Sequence, residues 1–180
     1  MIIDAQPTSG RPEGKAGWTE KARLRLARIQ SAAAMPVSKD AVGKQWPPIT
    51  YQAGREKIRE YANAIGAENP VHHDREVALA AGFRDVVAPP MFCVVYCAPA
   101  LTPAIFDPEV GINFATMVHG GQEFVWGEPV CSGDEITTTA TCADIYVKED
   151  KGFYVFESES LNQDGQQTVR GIWTNIVRGV

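Results

Sequence analysis

A chain of 180 residues with 44% hydrophobic and 22% charged residues has the composition of one soluble globular domain with a sizeable core. Its net charge of −5 gives no electrostatic case for nucleic acid, and no basic stripe interleaved with aromatics appears. The strongest apolar run, Met91 to Leu101, is far short of a membrane span, and the N-terminus lacks the apolar core of a secretory signal, so the expected location is cytoplasmic.

Residues 1–34 differ from the rest. They hold Gly, Pro and Ser and then a basic stretch, Lys21 to Arg28, with little apolar surface to bury. A flexible or loosely docked N-terminal extension is the expectation, with the domain proper spanning residues 35–180. From Trp46 the signals sharpen. Pro47-Pro48 leads into a short strand, Ile49 to Gln52. Ile58, Tyr61, Ala62 and Ile65 then fall at i, i+3, i+4 and i+7, the apolar stripe of a helix that Gly66 stops. Asp74 is placed to cap a second short helix running through Ala81, with Glu76 in its first turn and Gly82 closing it.

Pro89-Pro90 fixes an extended approach and a helix start. The run Met91 to Ala98 is apolar on every side, so the helix it forms must be enclosed. After residue 115 the chain reads as strand to its end, in segments near 117–126, 134–147, 152–162 and 167–178 rich in Val, Ile, Thr, Tyr and Phe. Glu149-Asp150-Lys151-Gly152 and Asn162-Gln163-Asp164-Gly165 are hairpin signals between them. Consecutive antiparallel strands following one enclosed helix make an α+β domain, a curved antiparallel sheet wrapped around a central helix. Cys93, Cys97, Cys131 and Cys142 all fall inside predicted helix or strand and are expected to be reduced and buried.

The segment Gly66-Ala67-Glu68-Asn69-Pro70-Val71-His72-His73-Asp74 resembles the hydratase motif of the MaoC-like family, which runs Gly-Asp-x-Asn-Pro-x-His-x-Asp. Gly66, Asn69, Pro70, His72 and Asp74 fit, and Ala67 stands where the family has its catalytic Asp. Three further pieces are similar to actinobacterial single-hot-dog subunits of the FAS1-like dehydratase type. They are Gly54 to Ala62, Val87-Ala88-Pro89-Pro90-Met91-Phe92, and His119-Gly120-x-Gln122-x-Phe124 followed by Pro129 and Gly133-Asp134. The resemblance covers about residues 40–178 and implies the hot-dog fold. It also implies a (3R)-hydroxyacyl-thioester dehydratase or enoyl-thioester hydratase of fatty-acyl metabolism, acting on an acyl-CoA or acyl-carrier-protein thioester.

That reaction needs a base to activate water at C3, an acid to deliver a proton at C2, and donors for the thioester oxygen. His72 stands at the family's His position and is the first choice for proton transfer, since a neutral imidazole exchanges protons near neutral pH. Glu68 is the adjacent candidate for the missing carboxylate, and a partner subunit is the other source. Asn69 is expected to shape the turn at the substrate site. Met91 and Phe92 carry the first N–H groups of the central helix and are candidate donors to a thioester carbonyl. His119 opens a strand motif shared with the family and is a candidate substrate contact.

A nucleophilic Cys93 or Cys97 is disfavoured by the apolar surroundings, and two cysteines without further ligands make no zinc site. Neither metal nor cofactor is expected. A thioesterase on the same fold would want a carboxylate on the central helix or overhang, and Met91 to Leu101 has none. Two functional readings stay open: an enzyme carrying its own acid–base pair, and a non-catalytic acyl-binding subunit beside a catalytic hot-dog partner. Either implies a homodimer or heterodimer.

Overall fold

The computed structural model of this protein describes Glu20 and residues 37–180. The expectation of a loosely docked extension over residues 1–34 lies outside the described residues. Five strands form one antiparallel sheet in the order β1-β3-β4-β5-β2: β1 (Ile49–Gln52), β2 (Met117–Trp126), β3 (Glu135–Lys148), β4 (Lys151–Leu161) and β5 (Gln167–Arg178). Along β3, β4 and β5 buried residues alternate with partly exposed ones, the period-two pattern of a sheet with one face on the core. Tyr154, Phe156, Ile136 and Ile145 supply much of that inner face.

Among the described residues three α-helices join the sheet: α1 (Arg55–Ala64), α2 (Arg75–Ala80) and α3 (Cys93–Ile105), the last entered through a 3₁₀ turn at Pro90–Phe92. The sheet curves around α3, whose Cys93, Tyr96, Cys97, Ala100, Leu101 and Ala104 are buried against it. This is the expected hot-dog architecture, α+β. All four cysteines are free and buried. Among the described residues no helix is long and apolar enough to cross a membrane.

Two local features differ from the sequence reading. Helix α3 continues to Ile105, through Pro99 and Pro103. Each proline removes an N–H from the helical ladder. The carbonyls left without an i+4 donor are those of Val95 and Pro99, and both prolines sit on the exposed side of the helix with Ala98 and Thr102. The β3–β4 hairpin turns on Glu149 and Asp150 alone, at φ 49° and 57°, as in a type I′ turn. Lys151 and Gly152, the second half of the hairpin signal, lie inside β4, Gly152 opposite Val147.

Beyond α3, Asp107 ties the domain's early segment to its middle. Its carboxylate accepts from Lys44 Nζ and Trp46 Nε1, each at 2.8 Å. The hydrogen bond from Lys44 holds the carboxyl below the ordinary value, with desolvation opposing and the Glu109 N–H and Trp46 indole adding to the effect. A depressed folded-state pKa stabilises the fold above the unfolded pKa, and that contribution is lost as pH falls through the folded value. Asp107→Asn is therefore expected to lower stability at neutral pH and to flatten the acid limb of the stability curve below about pH 4. Chemical denaturation across that range is the measurement, and an unchanged acid limb counts against the assignment.

Candidate active site

The overhang begins where α1 ends. Ala67 N–H donates to Ala62 O at 2.8 Å and Gly66 N–H to Asn63 O at 3.2 Å, the paired bonds of a Schellman stop. Gly66 takes the left-handed conformation, φ 66°, that such a stop requires. The next turn is built by Asn69, whose Oδ1 accepts from Val71 N–H at 3.2 Å, with Pro70 at the first position of a 3₁₀ turn ending at His72. Asp74 then caps α2 by accepting from Glu76 N–H at 2.8 Å and Val77 N–H at 3.2 Å, as its spacing predicts.

Both histidines of the overhang are fixed by backbone carbonyls. His72 Nδ1 lies 2.8 Å from Val87 O, and His73 Nε2 lies 2.7 Å from Ala67 O. A carbonyl only accepts, so His72 carries its proton on Nδ1, and in the neutral ring Nε2 keeps its lone pair. The segment holding Val87 is itself anchored: Val87 N–H donates to Val71 O at 3.0 Å and Ala88 N–H to Val130 O at 2.8 Å. Arg59 adds a clamp through Nε and Nη2 to His73 O, at 3.0 and 2.8 Å. The orientation of His72 thus rests on a backbone pair some fifteen residues away in sequence.

His72 faces a cavity of about 590 Å³. Asn69, Val71 and His72 form one wall. Val87 to Pro90 and Phe92, with Cys93 and Tyr96 from α3, form a second, and Trp126 to Val130 with Thr168 form a third. The lining is mostly apolar, and Glu128 is its single carboxylate among the described residues. Glu128 stands in the loop leaving β2, which Gly127 N–H and Glu128 N–H pin to Thr168 O and Gln167 O at 2.9 and 2.8 Å. A Cβ at Gly127 would lie 2.0 Å from Gln167 O, so only glycine allows this approach. The Trp126 indole donates to Pro90 O at 3.1 Å, and the Tyr61 hydroxyl to Met91 O at 2.9 Å; both fix the entry to α3.

Of the residues singled out in the sequence, the cavity brings together His72, Asn69 and Phe92. Glu68 is exposed and is not among the lining residues. Met91 is exposed at 43% and lies outside the lining as well. Phe92 N–H is engaged within the turn by Pro89 O at 2.8 Å, and the residue contributes its buried ring instead. His119 sits on β2 opposite Asn175, its ring against Trp173 at 6.4 Å and away from the cavity. Burial pushes the Cys93 thiol up to about 12, with Cys97 adding to the shift, so Cys93 stays a protonated wall residue. Glu128 and Trp126 escaped the sequence reading. The one available signal was Gly127-Glu128-Pro129, a tight turn directly after a strand.

No group of three or more potential metal ligands exists among the described residues. A single enclosed helix under a curved sheet, with an apolar cavity at the helix entry and a histidine on an overhanging turn, defines a hot-dog protein of the dehydratase kind. Residues 40–170 match the model of the FAS1-like, dehydratase domain region. The chain belongs to that family. A UPF0336 protein of Clavibacter michiganensis subsp. michiganensis is 40% identical over 146 residues, covering 81% of this chain and 98% of that one. The UPF0336 protein of Saccharopolyspora erythraea is 36% identical over 146 residues, covering 81% and 94%. Among solved structures, the C-terminally truncated HadBC (3R-hydroxyacyl-ACP dehydratase) complex from Mycobacterium tuberculosis is similar with a TM-score of 0.66. That match has 25% identity and covers 76% of this chain and 97% of that chain. An (R)-hydratase from A. caviae shares the fold at a TM-score of 0.60 and 19% identity, covering 79% and 98%.

Proposed function

We propose that this chain is the acyl-thioester-binding subunit of a (3R)-hydroxyacyl-thioester dehydratase, working beside a second hot-dog chain that supplies the catalytic carboxylate. The observation that carries this reading is an apolar cavity with a fixed histidine on its wall and no overhang carboxylate among its lining residues. Ala67 occupies the acid's position, and the neighbouring Glu68 side chain is exposed outside the lining. Likeness to a two-chain 3R-hydroxyacyl-ACP dehydratase supports the pairing. The cavity walls take the acyl chain and exclude water from it, and His72, with Nε2 left to accept, stands on one wall. The carrier on the thioester is coenzyme A or an acyl carrier protein.

One observation favours a second reading, in which the chain acts alone. Glu128 and His72 line the same cavity, so an acid and a base are both present on its wall. A single experiment separates the two. The chain is assayed for hydration of crotonyl and longer enoyl thioesters, alone and with a hot-dog chain bearing the Asp/His pair. Activity only in the mixture, above that of the partner alone, supports the acyl-binding reading. Activity of the isolated chain that disappears in both His72→Ala and Glu128→Gln supports the second. Activity of the isolated chain that survives His72→Ala would falsify the site assignment itself.

The pairing has a structural motive. β2 bonds β5 along one side for its whole length, and no strand pairs its other side among the described residues. Val118, Val125 and Trp126 on that edge strand are exposed at 37%, 63% and 50%. A long edge with apolar residues is a template for another strand. The expected state in light scattering is a dimer, of this chain or with its partner, with the two sheets joined through β2. A stable monomer at micromolar concentration in both preparations counts against it, as does a dimer that persists when Val118 and Val125 are both changed to Lys.

A further inference from the structure

The cavity lining divides by exposure. Trp126, Gly127, Glu128 and Pro129 are exposed and form the mouth, whereas Phe92, Cys93, Tyr96 and Thr168 are all 2% exposed or less and form the inner end. Behind that end the core is not apolar. The Thr168 hydroxyl donates to Ser160 O at 3.2 Å. Ser160 Oγ in turn shares a hydrogen bond with Thr138 Oγ1 at 2.7 Å and contacts Cys97 Sγ at 3.3 Å. These small polar groups form a row across β5, β4 and β3 under the first turns of α3, and no buried side-chain nitrogen or oxygen among the described residues lacks a partner. Tyr96 and Thr168 both line the inner end of the cavity, Tyr96 as its bulkiest side chain beside Phe92 and Thr168 as the end of the row. The Tyr96 ring is held by Phe92 at 6.3 Å and Tyr51 at 6.5 Å, and Phe92 is held in turn by Tyr61 at 5.4 Å.

We infer that Tyr96 sets the length of the acyl chain that the cavity accepts. The inference rests on the acyl-binding reading given above. Each methylene that enters an apolar site raises affinity about fourfold. That gain continues only while the tail meets open space. Once the tail reaches Tyr96, a further methylene must displace a ring interlocked with two other aromatics. Forcing extra volume into a packed core costs roughly ten- to a hundredfold, which exceeds the gain. The neighbouring Thr168 gives no apolar way past the ring, because its hydroxyl is already committed to Ser160 O. The site therefore takes acyl chains only up to a limiting length.

Calorimetric titration of the full chain, in its complex where one forms, with saturated acyl-CoA from butyryl to palmitoyl tests this directly. Affinity should rise about fourfold per methylene to a limiting length and then level or fall. In Tyr96→Leu the limit should move to longer chains by about two to four methylenes, the room the shortened side chain vacates. In Tyr96→Phe, which keeps the ring, the limit should stay. If Tyr96→Leu does not fold, Tyr96→Trp should shift the limit to shorter chains. Affinity that climbs unchecked to palmitoyl in the wild-type chain overturns the inference, and so does a limit that ignores the size of residue 96. Absence of binding at every length removes the acyl-binding reading, and the inference falls with it. Binding without a length limit removes the inference alone.

Discussion

Ala67→Asp is expected to give the isolated chain hydratase activity about two to four orders of magnitude above wild type, the range contributed by a positioned acid–base group. The backbone is ready for it. The Schellman bonds of Gly66 and Ala67 fix the start of the overhang, and His73 Nε2 holds Ala67 O at 2.7 Å. An aspartate there stands five positions before His72, the spacing of the hydratase motif that this segment resembles. It also joins a histidine whose proton already sits on Nδ1 through Val87 O, with Nε2 left to accept. The gain must vanish in the double variant Ala67→Asp/His72→Ala, because the carboxylate alone cannot carry both proton transfers. A rate that stays at background in Ala67→Asp, in a chain that still binds acyl-CoA, would show that the overhang no longer holds the reacting geometry.

What the sequence disclosed and what it hid follow a physical division. Periodicity and local chemistry are encoded in neighbouring residues. The β-branched and aromatic content of β3 to β5, the i, i+3, i+4 stripe of α1, the Gly66 stop and the Asp74 cap were therefore all legible. The β3–β4 turn was misplaced within its own signal, because Glu149 and Asp150 adopt left-handed conformations usually given to glycine. The site was legible only on its overhang. The tautomer of His72 depends on the Val87 carbonyl, the inner end of the cavity on Thr168, and the mouth on Trp126 and Glu128. Those partners arrive through the fold, from segments up to about a hundred residues away, and no local pattern marks them. Glu68 illustrates the converse: its adjacency to Ala67 suggested a substitute acid, yet one step along the turn leaves it exposed outside the cavity lining.

Asp134, read in the sequence only as half of a Gly-Asp turn, is expected to be a large determinant of stability. Asp134→Ala should lower it by about 2–4 kcal/mol, the cost of orphaning buried donors. At this size of domain that corresponds to a melting temperature lower by roughly 6–12 °C. The carboxylate is 1% exposed and accepts from both Nη atoms of Arg84, from Cys131 N–H at 2.8 Å and from Gln163 Nε2 at 3.3 Å. The ion pair is the smaller part of this, because the Arg84 side chain is 54% exposed and water replaces its partner readily. Cys131 N–H has no such recourse, since the residue is 2% exposed. The expected order of loss is therefore Asp134→Ala, then Asp134→Asn, which keeps one acceptor oxygen, then Arg84→Ala. A larger loss in Arg84→Ala than in Asp134→Asn would show that the charge pair dominates after all. The consequence reaches the cavity, because Asp134 ties the 131–134 turn to the 84–88 segment, and that segment carries the carbonyl that orients His72. Asp134→Asn should thus leave a folded chain whose acyl-thioester affinity falls together with its stability. Titration of that variant with an acyl-CoA that the wild-type chain binds reads the coupling, and an unchanged affinity would separate the staple from the site.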